Sequence, residues 1–250
     1  MTEPDAERYH YEDFTEESYR RILRAAKRGY SFEPFGTKAS GAHLLWRHDI
    51  DMSVHRARAL ARIEHDEGVR ATYLLQLHSV FYNLLEAPVL AAARELFELG
   101  HWAGLHFDAG FHEIDTKEEL VERLTGERDM LSALVERPVE IFSFHAPEAM
   151  GVHDLDDERM AGMISTYARS IREGYEYVSD SNGYWRHRRL PEVIDEAGHE
   201  RLHVLTHPEW WQERVMSPRE RMERAVRGRA EHTLSSWESW TYKHERDIPG

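Results

Sequence analysis

Segments patterned as strands alternate with segments patterned as helices along almost the whole chain. Apolar and β-branched runs predict strands at residues 42–48, 69–77, 101–107, 139–145, 175–181 and 201–207. Amphipathic patterns with cap residues predict helices at residues 15–28, 53–67, 88–99, 116–134, 156–172, 191–197 and 218–232. This alternation is typical of an α/β domain with a parallel sheet. It fits both a barrel and an open doubly wound sheet, because periodicity does not distinguish them.

The length of 250 residues suits a single α/β barrel. Residues 1–40 precede the first predicted strand, and we expect them to form an N-terminal helical extension. Residues 41–250 are then the barrel together with a C-terminal helix.

Composition excludes several classes of function. The net charge of −14 repels nucleic acid phosphates and anionic lipid, so we expect no nucleic acid partner. The absence of cysteine excludes thiolate zinc sites, disulfides and cysteine nucleophiles. The acidic N-terminus lacks an apolar run, and no segment approaches the ~20 apolar residues of a membrane span. These features predict a cytoplasmic protein without a membrane span.

Residues able to bind a metal ion or move a proton follow several of the predicted strands. They are Asp49 and Asp51 after the first strand, His106 and Asp108 after the third, His145 after the fourth, Asp180 after the fifth and His207 after the sixth. The carboxyl ends of parallel strands lie on one side of the fold, where active sites form. We therefore expect these side chains to meet at one mouth.

Imidazole and carboxylate groups without thiolates are typical ligands of zinc or another divalent first-row metal. Such a metal lowers the pKa of a bound water to near neutrality. A second carboxylate can then take the proton of that water, and a histidine can protonate a leaving group. The pattern predicts a hydrolytic metal site.

Structural roles compete with the functional ones for some of these residues. Asp180 also suits an Asx turn. Trp185, like Trp210 and Trp211, suits either the core or a platform for a sugar ring. His78 either lines the mouth or packs. For Asp49 and Asp51 the structural role is weaker, because two buried acids one residue apart are costly unless a cation binds them.

Six segments, in order, resemble the motifs of the polysaccharide deacetylase superfamily (the NodB-homology domain, carbohydrate esterase family 4). They are WRHDID, GVRATYLL, ELGHWAGLHFD, IFSFHAP, YVSDSNGYW and VLTHP, which together span about residues 44–211. The first of them is similar to a divergent His-Asp-x-Asp branch that includes proteins of surface-glycan biosynthesis. The resemblance implies a distorted (β/α) barrel of about seven parallel strands and a divalent metal, most often zinc.

The resemblance also implies a role for individual residues. Asp49 corresponds to the catalytic base and Asp51 to a metal ligand, although the reversed assignment stays open. His106 corresponds to a second metal ligand, and His207 to the general acid. The fourth motif falls on Asp180 and Trp185, which implies a role in substrate binding.

The chain departs from the family pattern at the position of the second metal-binding histidine, which is Gly110. The third ligand is then His145, Asp108 or His112, and we favour His145, which occupies the position of an arginine in the usual third motif. Pro147 follows it, as a proline does in the family.

The function implied is a metal-dependent hydrolase that removes an acetyl group from an N-acetylated sugar or a surface-glycan precursor. Two alternatives stay open. One is an amidohydrolase acting on a non-sugar C–N bond, and the other is a non-catalytic sugar-binding relative, which the missing histidine favours.

Overall fold

The structure is a computed structural model that describes residues 8–146, 156–244 and 246. Within these residues, nine strands form one curled sheet: β1 (Ser31–Phe32), β2 (His43–Ile50), β3 (Thr72–Leu75), β4 (Trp102–Phe107), β5 (Ile141–Phe144), β6 (Arg159–Met160), β7 (Met163–Ser165), β8 (Glu176–Ser179) and β9 (Arg201–Thr206). The helices are α1 (Glu16–Ala26), α2 (Val54–Asp66), α3 (Ala87–Glu98), α4 (Lys117–Val135), α5 (Arg169–Gly174), α6 (Leu190–Glu196) and α7 (Pro218–Lys243).

The order of neighbouring strands is β6-β7-β5-β4-β3-β2-β9-β8, and β1 pairs with the beginning of β2. Every pair of neighbouring strands from β8 to β7 is parallel, and only the β6–β7 pair is antiparallel. The sheet is open between β8 and β6, so it forms a distorted half-barrel. The predicted α/β fold with about seven parallel strands is confirmed.

Strand β2 lies at the centre of the sheet, and all eight of its residues are buried. Its outer face, with Leu44 and Trp46, packs in the main core under the helices, whereas Leu45 on its inner face belongs to a smaller core inside the curl. On β4, a Cβ at Gly104 would lie 2.8 Å from Leu74 Cγ, so the inside of the half-barrel narrows there. This small inner core closes the bottom of the barrel and leaves its carboxyl end for a site.

The N-terminal segment packs on the same sheet. Phe14, Tyr19 and Leu23 are fully buried in the main core, and β1 adds to the edge of β2. The division at residue 40 stays a prediction, but the segment before it contributes both a helix and a strand to the fold.

Two predicted helices differ from the structure. The prediction of a helix at 156–172 is wrong, because β6 and β7 form a hairpin there and only α5 is helical. Ala161 and Gly162 have φ angles of 50° and 78°, which is the backbone of a two-residue hairpin turn. The last helix begins as predicted but continues to Lys243. Its final turns carry Leu234, Trp237 and Trp240 at helical spacing, but these side chains are largely exposed.

None of the helices in the described ranges combines the length and the apolar character that a bilayer span requires.

Candidate active site

Successive side chains of β2 point to opposite faces of the sheet, so its polar residues lie on both faces. Arg47 and Asp49, followed by Asp51, line a cavity of about 930 Å³ at the carboxyl end of the half-barrel. The same alternation places Ser143 and His145 beside His106 from β4, since β4 and β5 are neighbours in register at His106 and Ser143. The strand ends therefore meet at one mouth.

Asp51, His106 and His145 are brought together around one point. Asp51 Oδ1 lies 3.1 Å from His106 Nε2 and 3.4 Å from His145 Nδ1. The two ring nitrogens are 3.2 Å apart. Asp51 Oδ1 is buried, and neither contact is aligned as a hydrogen bond. Burial alone would raise the pKa of Asp51, but the two imidazoles outweigh it and lower that pKa.

This triangle fits a divalent metal. Ligand atoms about 2.1 Å from a tetrahedral zinc ion lie about 3.4 Å from one another, close to the three observed separations. Two imidazoles and a carboxylate with an orphaned oxygen are also a donor set that zinc accepts, and three protein ligands leave a position open. The residues present therefore fit the metal that the sequence predicts.

His106 is fixed by groups behind it. Its Nδ1 lies 2.6 Å from Ser143 Oγ and 3.6 Å from Asp49 Oδ2. Ser143 in turn donates to Asp49 Oδ1 at 3.5 Å. A partner at the second ring nitrogen selects the tautomer that leaves Nε2 free to bind a metal. Asp51 thus lies in the triangle of candidate ligands, and Asp49 lies outside it. This arrangement suits the assignment of Asp51 as a metal ligand and Asp49 as the base.

Arg47 holds Asp49 from the other side, with its Nη2 3.5 Å from Asp49 Oδ2. The guanidinium also donates to Thr166 Oγ1 and lies over the ring of Tyr167. Burial would lower the pKa of Arg47, but the charge of Asp49 outweighs it and raises that pKa. A buried cation therefore lies directly beside the carboxylate of Asp49.

His207 faces the triangle from the opposite wall. Its Nδ1 lies 2.7 Å from Asp180 Oδ1, and its Nε2 lies 3.9 Å from Asp51 Oδ2. Burial lowers the pKa of His207, but the hydrogen bond and charge of Asp180, together with Asp51, outweigh it and raise the pKa to about 10. The hydrogen bond with Asp180 favours the protonated ring and aims Nε2 into the mouth.

Asp180 is fully buried and does not line the cavity in the described residues. Its oxygens accept from the backbone N–H of His207 at 3.0 Å and from Trp211 Nε1 at 3.0 Å. The carboxylate therefore acts through His207 and is placed to orient it, not to touch a substrate.

Trp185 is not brought to the mouth. Its indole N–H donates to Asp13 Oδ2 at 2.9 Å, and its ring packs against Phe14 with centroids 5.1 Å apart. Trp210 does line the cavity, and its buried indole N–H has no hydrogen-bond partner. Among the tryptophans considered as a sugar platform, Trp210 has the position that such a platform needs.

The other candidates for the third ligand lie elsewhere. Asp108 accepts from the backbone N–H of Gly110 at 3.0 Å and from Gln76 Nε2 at 3.2 Å, so it caps the turn after β4. His112 contacts Glu127. Pro147, named with His145 in the third motif, lies outside the described residues.

Three residues of the site were missed by the sequence analysis. Arg47 shares the inner face with the predicted base Asp49, and Ser143 shares it with the predicted ligand His145. Each pair is two residues apart, so this spacing could have identified Arg47 and Ser143. Glu209 is 1% exposed near Asp51 and His207, and neither of its oxygens has a partner. Burial raises the pKa of Glu209. Nothing in the sequence indicated a role for Glu209 beyond its closeness to His207 in the chain.

No family model matches the sequence, and no curated protein matches it at a significant level. Solved structures do match. A CE4 family pseudoenzyme from Bacillus anthracis is 14% identical with a TM-score of 0.40, over 77% of this chain and 62% of that chain. The match thus spans less than two thirds of the pseudoenzyme's length.

Two further structures match over a larger share of their own length. The catalytic domain of a peptidoglycan N-acetylglucosamine deacetylase from Eubacterium rectale is 14% identical with a TM-score of 0.46, over 78% of this chain and 87% of that chain. A family 4 carbohydrate esterase from Streptomyces lividans, in complex with acetate, is 14% identical with a TM-score of 0.41, over 79% of this chain and 89% of that chain. Two of these three structures are described as members of carbohydrate esterase family 4, which the motifs of this chain resemble.

Proposed function

We propose that the chain is a metal-dependent hydrolase that removes an acetyl group from an N-acetylated sugar. One observation carries the proposal: Asp51, His106 and His145 converge on an ion-sized point at the floor of a cavity, between Asp49 on one side and His207 on the other. A structural cluster has no need of an open cavity above it, whereas a hydrolytic site does.

The metal would be held by Asp51, His106 and His145, and when bound it would supply a Lewis acid and an acidified water. Asp49 is the base that takes a proton from the attacking water, and Arg47 fixes its orientation. His207 carries a proton at Nε2 and gives it to the departing amine, while Asp180 holds the ring through Nδ1. The cationic His207 also stabilises negative charge developing in the mouth.

The cavity favours a sugar as the substrate. Its volume of about 930 Å³ is at the upper end of small-molecule sites. Its walls include the aromatic rings of Tyr167, Tyr177 and Trp210, which suit the apolar faces of a pyranose. Arg172, Arg186 and Arg219 also line it and favour a sugar that carries phosphate, as nucleotide-linked or lipid-linked glycan precursors do.

The test is acetate release from N-acetylated sugars and sugar nucleotides by zinc-loaded protein. We expect release that a chelator abolishes, that zinc restores, and that Asp51→Ala eliminates. Trp185→Phe, which lies outside the mouth, is the matched control and should retain full activity. Unchanged release by Asp51→Ala would refute the metal mechanism.

The second candidate function is an amidohydrolase that acts on a non-sugar C–N bond. Assays with a panel of non-sugar amides, run in parallel, distinguish it from the sugar deacetylase. Hydrolysis confined to those amides would replace the sugar deacetylase with an amidohydrolase of the same mechanism. The third function, a sugar-binding relative without turnover, was suggested by the glycine at position 110. The contacts of His145 with Asp51 and His106 support the hydrolase over this third function. Sugar binding without acetate release from any substrate would restore it.

A further inference from the structure

A second cluster of metal-ligating side chains lies apart from the mouth. His78 follows β3, His112 follows the 3-10 turn Ala109–Phe111 after β4, and Glu127 lies in the middle of α4. One ligand atom from each lies within 4.8 Å of the others. None of the three belongs to the described lining of the mouth cavity, and the proposed function assigns them no role.

Glu127 occupies a position that the helix pattern reserves for an apolar residue. The buried face of α4 consists of Leu120, Leu124, Glu127, Leu131 and Val135, a continuous stripe at helical spacing. Glu127 is 6% exposed. Burying a carboxylate among leucines is unfavourable unless a cation or several hydrogen bonds compensate.

The hydrogen bonds present do not compensate both oxygens. His78 Nε2 lies 3.0 Å and His112 Nε2 lies 2.5 Å from the same oxygen, Glu127 Oε1. Glu127 Oε2 is buried and has no hydrogen-bond partner. Each carboxylate oxygen can accept two hydrogen bonds, so Oε1 is satisfied, whereas the buried Oε2 is left as an unused ligand atom.

Aromatic packing holds both imidazoles in place. The ring of His78 stacks on Phe111 at a centroid distance of 3.5 Å and an angle of 6°. The ring of His112 stacks on Phe107 at 5.3 Å and 11°. Side chains fixed in this way bind an ion without a large loss of rotamer freedom.

We propose that His78, His112 and Glu127 form a second site for a divalent metal ion, with zinc as the best match to two imidazoles and one carboxylate. The 2.5 Å contact of His112 with Glu127 would lengthen to about 3.4 Å when an ion enters, because ligand atoms of a tetrahedral zinc lie that far apart. The ion would tie the loops after β3 and β4 to α4. The site is independent of the proposed function and does not require that the mouth catalyse any reaction.

The test counts bound metal in four forms of the full chain: the wild type, Asp51→Ala, Glu127→Leu and the double variant. Glu127→Leu removes the ligand and completes the apolar stripe, so it is expected to fold. After depletion and dialysis against zinc, we expect about two ions in the wild type, one in each single variant and none in the double variant. One ion in the wild type together with an unchanged count in Glu127→Leu overturns the second site.

A thermal measurement checks the same site without any assay of activity. In the Asp51→Ala background, zinc at about one hundred times its Kd should raise Tm by about 5–10 °C. His112→Asn in that background should abolish the shift, and so should Glu127→Leu. A shift that persists in both variants contradicts the proposal.

Failure of the proposed function would give a different result: no acetate release, with the metal count of the second site unchanged.

Discussion

Strand β2 places His48 on its outer face and Arg47 and Asp49 on its inner face, and the two sides differ in how completely their polar groups are bonded. On the outer face, His48 Nε2 lies 2.7 Å from Glu64 Oε1, and its Nδ1 lies 2.9 Å from Thr206 Oγ1. Glu64 Oε2 accepts from Tyr73 at 2.7 Å. Every nitrogen and oxygen of this His–Glu pair has a partner.

On the inner face the bonding is incomplete. Asp51 Oδ1 and Arg47 Nε are buried without an aligned hydrogen bond, and a cavity opens beside them. Histidine and carboxylate therefore occur in both places, but only the inner cluster has ligand atoms left for an ion or a substrate. Residue type indicates a candidate site, whereas unused bonding capacity beside a cavity distinguishes it from a structural network.

The largest effect is expected at the inner face, from Asp49→Asn. This change keeps the shape of the side chain and the contact with Arg47 but removes the base. We expect kcat for acetate release to fall by about 10²–10⁴-fold, with the zinc content unchanged. Steady-state kinetics with a parallel metal assay measure both quantities, and a loss below tenfold would remove Asp49 from the role of base.

The outer face should respond in the opposite way. Glu64→Leu leaves His48 and the hydroxyl groups of Tyr19 and Tyr73 without their partner. We expect it to lower the free energy of unfolding by about 3–5 kcal/mol, measured by denaturant titration. At low temperature the folded fraction should still bind zinc at the mouth. Loss of that zinc in the folded protein would show that the two faces are coupled.

A change in pH dependence should follow from Asp180→Asn. The hydrogen bond and charge of Asp180 raise the pKa of His207 to about 10 against the opposing effect of burial. Since the general acid works only when protonated, the alkaline limb of kcat should move to lower pH in the variant, toward the ordinary histidine pKa of about 6.5. An unmoved alkaline limb would exclude His207 as the acid.

The same raised pKa has a consequence for stability. A histidine whose pKa is higher in the folded than in the unfolded chain stabilises the fold fully below the unfolded pKa of about 6.5. That contribution is lost as the pH rises through the folded pKa, about 10. The metal-free wild type should therefore lose stability relative to Asp180→Asn between these two values.

The smallest effect is expected from Trp185→Phe. The variant loses the hydrogen bond to Asp13 but keeps packing against Phe14, so it should be less stable by about 1 kcal/mol. Its KM should be unchanged, whereas Trp210→Ala, on the cavity wall, should raise KM. An increase in KM for Trp185→Phe would return this residue to the substrate-binding role that its motif implies.

Local patterns in the sequence predict much of this molecule. Apolar runs and caps locate the main strands and helices, and parallel topology brings Asp51, His106 and His145 to one mouth. The hairpin at Ala161 and Gly162 was missed because a helical spacing of apolar residues concealed a two-residue turn.

Other features depend on partners that are distant in the chain. Ser143 meets His106 only through the pairing of β4 with β5, and Asp13 meets Trp185 only after the N-terminal segment has packed. Nothing in the local sequence encodes such contacts. The contact of Asp180 with His207 is of the same kind, because it joins the ends of two neighbouring strands that are 27 residues apart in the sequence.

The most direct test is a crystal structure of the zinc-loaded protein with diffraction data collected at the zinc absorption edge. The account predicts an anomalous peak about 2.1 Å from each of Asp51 Oδ1, His106 Nε2 and His145 Nδ1. Zinc-loaded crystals with no peak among these three atoms would contradict it.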